Sequence, residues 1–258
     1  MCSVLSSLRE LLRTGRKVGF VYASQAEDGP MANAAPGVTI RNSEDRPPWI
    51  VVDHSLESVV AAKWPGKLWK VEILQKATEQ PRADAHYTRA VSVRVLEEEP
   101  ISALFGRRGD RVCRVIETVG ALTVEEDGVL GRPNPAAREA YSGVWRRWLA
   151  AVGADPSRMT ADYADTLAVV IGGKQERSPV GIGLTVLYSA LSERARALVG
   201  DEAFVTDAEG EMEFEPRWAA TAEAFLHAAI AYGAPELTDE HDAEVLTSAW
   251  ARHFERSK

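Results

Sequence analysis

The apolar residues of this chain change their period once, near residue 125. Before that point they alternate, as in Val91, Val93 and Val95 of the stretch 87–97. After it they recur every three to four residues, as in Tyr141, Val144, Trp145, Trp148 and Leu149. A period of two builds half-buried strands, and a period of about 3.6 builds amphipathic helices. The segment EEDGVLGRPNP, where the change falls, reads as a linker by composition. The pattern therefore predicts an α+β fold. A small twisted sheet with short helices occupies 1–125, and an all-helical region of four or five helices occupies 126–258.

Local signals fill in the elements. Val4, Leu5, Leu8, Leu11 and Leu12 share one face of a helix over 4–14, stopped by Gly15. Strands follow at 17–23, 38–40 and 49–53, with a long loop over 24–48 that holds Gly29, Pro30, Pro36, Gly37, Pro47 and Pro48. Asp53 or Ser55 caps a helix running to Lys63, and Pro65 and Gly66 end it. KLWKVEIL and 87–97 are strands, ISALF is a short helix, and VCRVIETVGAL has helical spacing. In the second region Asn134 caps a helix with Pro135 at its first position. Further helices are predicted over 160–171, 180–199, 216–232 and 238–255.

Composition narrows the function classes. The net charge of −8 argues against broad nucleic-acid binding through charge alone. No apolar run approaches the roughly 20 residues that span a bilayer. The N-terminus spreads its charges among leucines and does not read as a secretory signal. Cys2 and Cys113 form no disulfide or metal pattern, so reduced thiols and a cytoplasmic location are expected, with no metal.

Several stretches carry groups that can do chemistry. His54, beside Asp53 at a strand end, either orients a reactant or is solvated while Asp53 caps a helix. Arg89, near Tyr87 at the start of a strand, either holds a phosphate or makes a cross-strand ion pair. Arg107, Arg108 and Arg111 sit in a glycine-bounded turn suited to an anion or to solvent. GGKQERSPVGIG lacks the spacing of a phosphate loop, and its glycines read better as a helix C-cap. EHDAE places acids in a first helical turn, and HExxH is absent. EGEMEFE is an acidic run that reads as a solvated loop.

The stretches SLESVVAAKWPGKLWKVEIL and HYTRAVSVRVLEEEP, in that order, resemble the middle of small ADP-ribosyltransferase-like modules of the rifamycin-modifying type. The resemblance spans about residues 17–98 and lies in the hydrophobic order rather than in a catalytic signature. It implies binding or use of a nicotinamide dinucleotide (NAD). Tyr22 and Ser24 would line the pocket, Trp49 would stack on a base or nicotinamide, His54 would sit nearby, and Arg89 or Arg107 would face the pyrophosphate. Glu97 or Glu98 would take the acidic position only by a forced register. The opening strand VGFVYAS departs from the family in carrying no histidine or arginine. Because function lives in a site rather than in a fold, a second expectation stands beside the first. It is a non-catalytic adaptor that binds a protein partner through its helical half, with the loop over 24–48 ordering on contact.

Overall fold

A computed structural model describes residues 17–25, 29–61, 63–155, 168–171 and 174–255. The fold is α+β, with a strand-rich N-terminal part and a helix-rich remainder. The contacts separate into two compact units between Ile101 and Ser102. The change in hydrophobic period comes later, near 125, because the helix Gly109–Thr118, already part of the second unit, precedes it. The helix predicted over 4–14 lies outside the described residues.

The first unit is built on five antiparallel strands: β1 (Val18–Ser24), β2 (Thr39–Arg41), β3 (Ile50–Asp53), β4 (Gly66–Lys76) and β5 (Tyr87–Glu99). The expected small sheet closes on itself. β5 pairs with β4 along one edge and with β3 and β2 along the other, while β1 joins β4 to β3. Register shifts in the β4–β5 ladder, beginning at Lys70/Val71, mark the irregularities where an antiparallel pair bends. The inward side chains Val21, Val52, Trp69, Val71, Val93 and Val95 form the core. Cross-strand pairs such as Lys70–Glu97 dress the outside.

The predicted helix after His54 is a single 3₁₀ turn, Leu56–Ser58, closed by the Ser58 hydroxyl donating to the Ser55 carbonyl at 2.9 Å. Val59 then turns extended. Val59 and Ala61 are buried with Val60 exposed between them, the two-residue alternation of an extended chain rather than of a helix.

The second unit holds α1 (Gly109–Thr118), α2 (Val124–Leu130), α3 (Pro135–Ala151), α4 (Gly183–Val199), α5 (Pro216–Gly233) and α6 (Glu240–Phe254). Alanine-rich α5 is central and packs against each of the other five α-helices among the described residues. Its Gly233 is required by packing, because a Cβ there would lie 2.4 Å from Val180 and 2.6 Å from Val112. The stripe Tyr141, Val144, Trp145, Trp148 and Leu149 is buried as its spacing predicts.

Three expectations fail here. The supposed linker is α2, nucleated by a reciprocal cap: Thr123 N–H donates to Glu126 at 2.8 Å and Glu126 N–H donates to the Thr123 hydroxyl at 3.2 Å. The region is not all-helical. Where a helix over 160–171 was predicted, Ala168–Ile171 (β6) pairs with Lys174–Arg177 (β7), and 160–167 lie outside the described residues. Phe204–Thr206 (β8) pairs with Met212–Phe214 (β9), so the acidic run enters a hairpin. Its turn is organised by Asp207, whose carboxylate accepts from the N–H groups of Glu209 and Glu211.

Candidate functional site

The first unit's strand ring is tight at one point and parted beside it. β1 and β3 meet at the pair Phe20↔Asp53. Gly19 permits that approach: a Cβ there would lie 2.3 Å from the Asp53 carbonyl oxygen and 2.6 Å from Val52. From this point toward Ser24 and Trp49 no further β1–β3 pairing is recorded among the described residues. The parted strands and the turn Gly29–Ala32 enclose a cleft of about 210 Å³. Its walls include Tyr22, Ser24, Trp49, Ile50, Pro30 and Met31.

Three of the five residues singled out in the sequence, Tyr22, Ser24 and Trp49, therefore face one cavity. Tyr22 is already engaged. Its phenol donates to the Lys63 carbonyl. Its ring lies over Gly66, where a Cβ would come within 2.3 Å. Arg89 does not line the cleft but stands over the Trp49 ring, 4.5 Å from its centroid. Its guanidinium is paired with Glu79 at 2.7 Å, and the Gln80 amide bonds the Arg89 carbonyl at 2.8 Å. The guanidinium is thus ion-paired, with a residue of the β4–β5 connection rather than across the strands.

His54 is not part of the cleft. It follows β3 at the end away from Trp49, its N–H donating to the His86 carbonyl at 2.9 Å and its Nε2 lying 2.9 Å from the Thr88 hydroxyl. Burial, and then the positive neighbours Lys17, His86 and Lys76, lower its pKa and favour a neutral ring.

The sequence reading missed Met31. It is 6% exposed and belongs to the core, yet it sits in a glycine- and proline-rich loop with Ala32 and Asn33 exposed beside it. A single large apolar residue in such a loop was the available signal.

The other candidates have structural duties. Asp239 caps α6 by accepting from Asp242 N–H at 2.7 Å, and Asp242 pairs with Arg147. Burial, with Glu117 and Asp110 close by, pushes the Cys113 thiol up to about 12, which leaves it un-ionised and unreactive. In α2, Asp127 is 1% exposed and is held by Arg217 at 2.6 Å and by the Thr221 hydroxyl at 2.6 Å. Burial still raises its pKa against both partners. His227 of α5 is 4% exposed, tilts against Tyr141 with centroids 4.9 Å apart, and borders a cavity of about 10 Å³ with Arg132, Asn134 and Glu223. Among the described residues, no cluster of three or more His, Cys, Asp or Glu side chains is placed to hold a metal. Among them, too, no helix is long and apolar enough to cross a membrane.

No family model, no curated protein and no solved structure matches the chain.

Proposed function

We propose that this chain is a binding protein whose strand-rich unit receives a ring-sized apolar group of a protein partner in the cleft beside Trp49. The observation that carries the reading is the parting of β1 from β3 beyond Phe20↔Asp53, which leaves about 210 Å³ walled by Trp49, Ile50 and Met31. A cavity of about 150 Å³ lined by apolar side chains takes a single aromatic ring, and drug-sized ligands occupy about 300–1,000 Å³. The cleft suits a ring or one large side chain better than a whole dinucleotide. The engagement of Tyr22 by Lys63, of Arg89 by Glu79 and of His54 by Thr88 also favours binding over transfer chemistry.

The test pairs random-peptide display with calorimetry on the full chain. Display is expected to enrich peptides carrying an aromatic or long apolar residue, and Trp49→Ala is expected to remove the enrichment. Titration with nicotinamide dinucleotide is the rival measurement. Saturable binding tighter than about 1 mM, a free energy near 4 kcal/mol, that Arg89→Ala abolished would overturn this cleft-binding reading in favour of the nucleotide one.

A further inference from the structure

We infer that β9 is an open sheet edge to which a basic, extended segment of a protein partner adds as a third strand. The inference stands apart from the cleft reading and concerns the second unit alone.

β8 and β9 form a two-stranded sheet among the described residues, with Phe204 opposite Phe214, Val205 opposite Glu213 and Thr206 opposite Met212. Glu215 N–H donates to the Ala203 carbonyl at 2.8 Å and Asp207 N–H to the Glu211 carbonyl at 2.9 Å. Hydrogen-bonded and non-hydrogen-bonded pairs alternate along an antiparallel ladder. The pairs Phe204–Phe214 and Thr206–Met212 are therefore of the second kind, and Met212 and Phe214 turn their N–H and C=O groups away from β8, toward the outer edge. The two edges of the hairpin differ. On the β8 side the Phe204 N–H already donates to the Asp201 carbonyl, and the Arg196 guanidinium stands 4.7 Å from the Phe204 ring centroid. On the β9 side Tyr188 of α4 meets the Phe214 ring edge-on, with centroids 4.9 Å apart. That contact and the Phe204–Phe214 stack seat the hairpin on α4, so the edge is held in place. Beside it Met212 is 55% exposed and Tyr188 is 43% exposed. An edge strand flanked by exposed apolar side chains is a template for strand addition.

Charge names the occupant. Successive side chains of a strand point to opposite faces. Met212 and Phe214 thus share one face of β9, and Glu211 and Glu213, both exposed, share the other. A strand laid along β9 places an apolar residue against Met212 and a lysine or arginine against Glu211 or Glu213. Like charges directly opposite are destabilising, which disfavours an acidic strand or β9 of a second copy. A segment that alternates basic and apolar residues meets both faces.

The probe is a peptide in which lysine and valine alternate, titrated into the full chain. Saturable binding is expected, weakened by added salt, with the Met212 and Phe214 amides becoming protected from hydrogen exchange. A peptide of the same composition in scrambled order is expected to bind roughly ten-fold more weakly, about what two or three opposite-charge cross-strand pairs supply. A third peptide keeps the alternation but carries N-methyl groups on the amides that face β9, and it is expected not to bind. All three titrations use the unaltered protein, so the outcome does not hinge on the folding of a variant. Absent binding, equal binding of the scrambled or the N-methylated peptide, or protection that falls outside β9 overturns the inference. Protection of the same two amides without peptide, growing with protein concentration, assigns the edge to a second copy and overturns it too.

Discussion

His227 shows how one buried side chain sets a property of the whole unit. Burial, aided by Arg138, pushes its pKa down to about 4 from the ordinary 6.5. The folded chain keeps the imidazole neutral while the unfolded chain takes up a proton as pH falls below 6.5. Stability present above pH 6.5 is therefore lost progressively down to about pH 4, by about 3 kcal/mol. Asp127 works in the opposite sense, because its folded carboxyl binds a proton more readily than an unfolded one. His227→Gln isolates the histidine contribution. Denaturant melts of wild type and variant at pH 7 and pH 4.5 are expected to show a steeper loss for wild type. Equal losses would mean that the ring is solvated. Trp148 and Trp145 were readable from spacing alone because a helical stripe of that width has no other stable use. Met31 was not, since its burial depends on a gap between two strands that no local pattern announces.

At the scale of elements, the long ones followed their patterns and the short ones followed their caps or their neighbours. β4, β5, α3 and α5 carry enough periodic residues to declare themselves. α2 was hidden because it has only seven residues, with Gly128 among them and Gly131 and Pro133 just after. Its signature lay in Thr123 and Glu126, three residues apart. Thr123→Ala is expected to cost about 1 kcal/mol, read as a fall in denaturant midpoint, and a change below 0.3 kcal/mol (about the scatter of such melts) would assign α2 to tertiary packing alone. The turn after β3 failed as a helix for the converse reason. Leu56, Val59 and Val60 are helically spaced, but Val59 is needed in the interior and Val60 is left 77% exposed. Tyr22 and Ser24 fall on β1 and Trp49 lies just ahead of β3, while sequence could not show that His54 lies at the other end of β3.

For the molecule as a whole, the sequence showed two characters and the contacts show two units, each with its own interior. The boundary at Ile101 follows from packing: α1 lies against α4 and α5, although it precedes the change of period. A fragment of residues 1–101 is expected to keep a cooperative thermal transition with a β-type circular dichroism spectrum. A featureless melt would show that the strand ring depends on the remainder of the chain.

β5 is the only strand of the ring that touches three others, and it is the last of the five to be synthesised. On the ribosome, β1 therefore emerges about 50 residues ahead of its β4 partner and the ring stays unclosable until Glu99 has left the exit tunnel. At about 5–20 residues per second, the nascent strands wait several seconds with their edges exposed. That interval, rather than the finished fold, is when this unit is most open to capture by chaperones or to pairing with a neighbouring nascent chain.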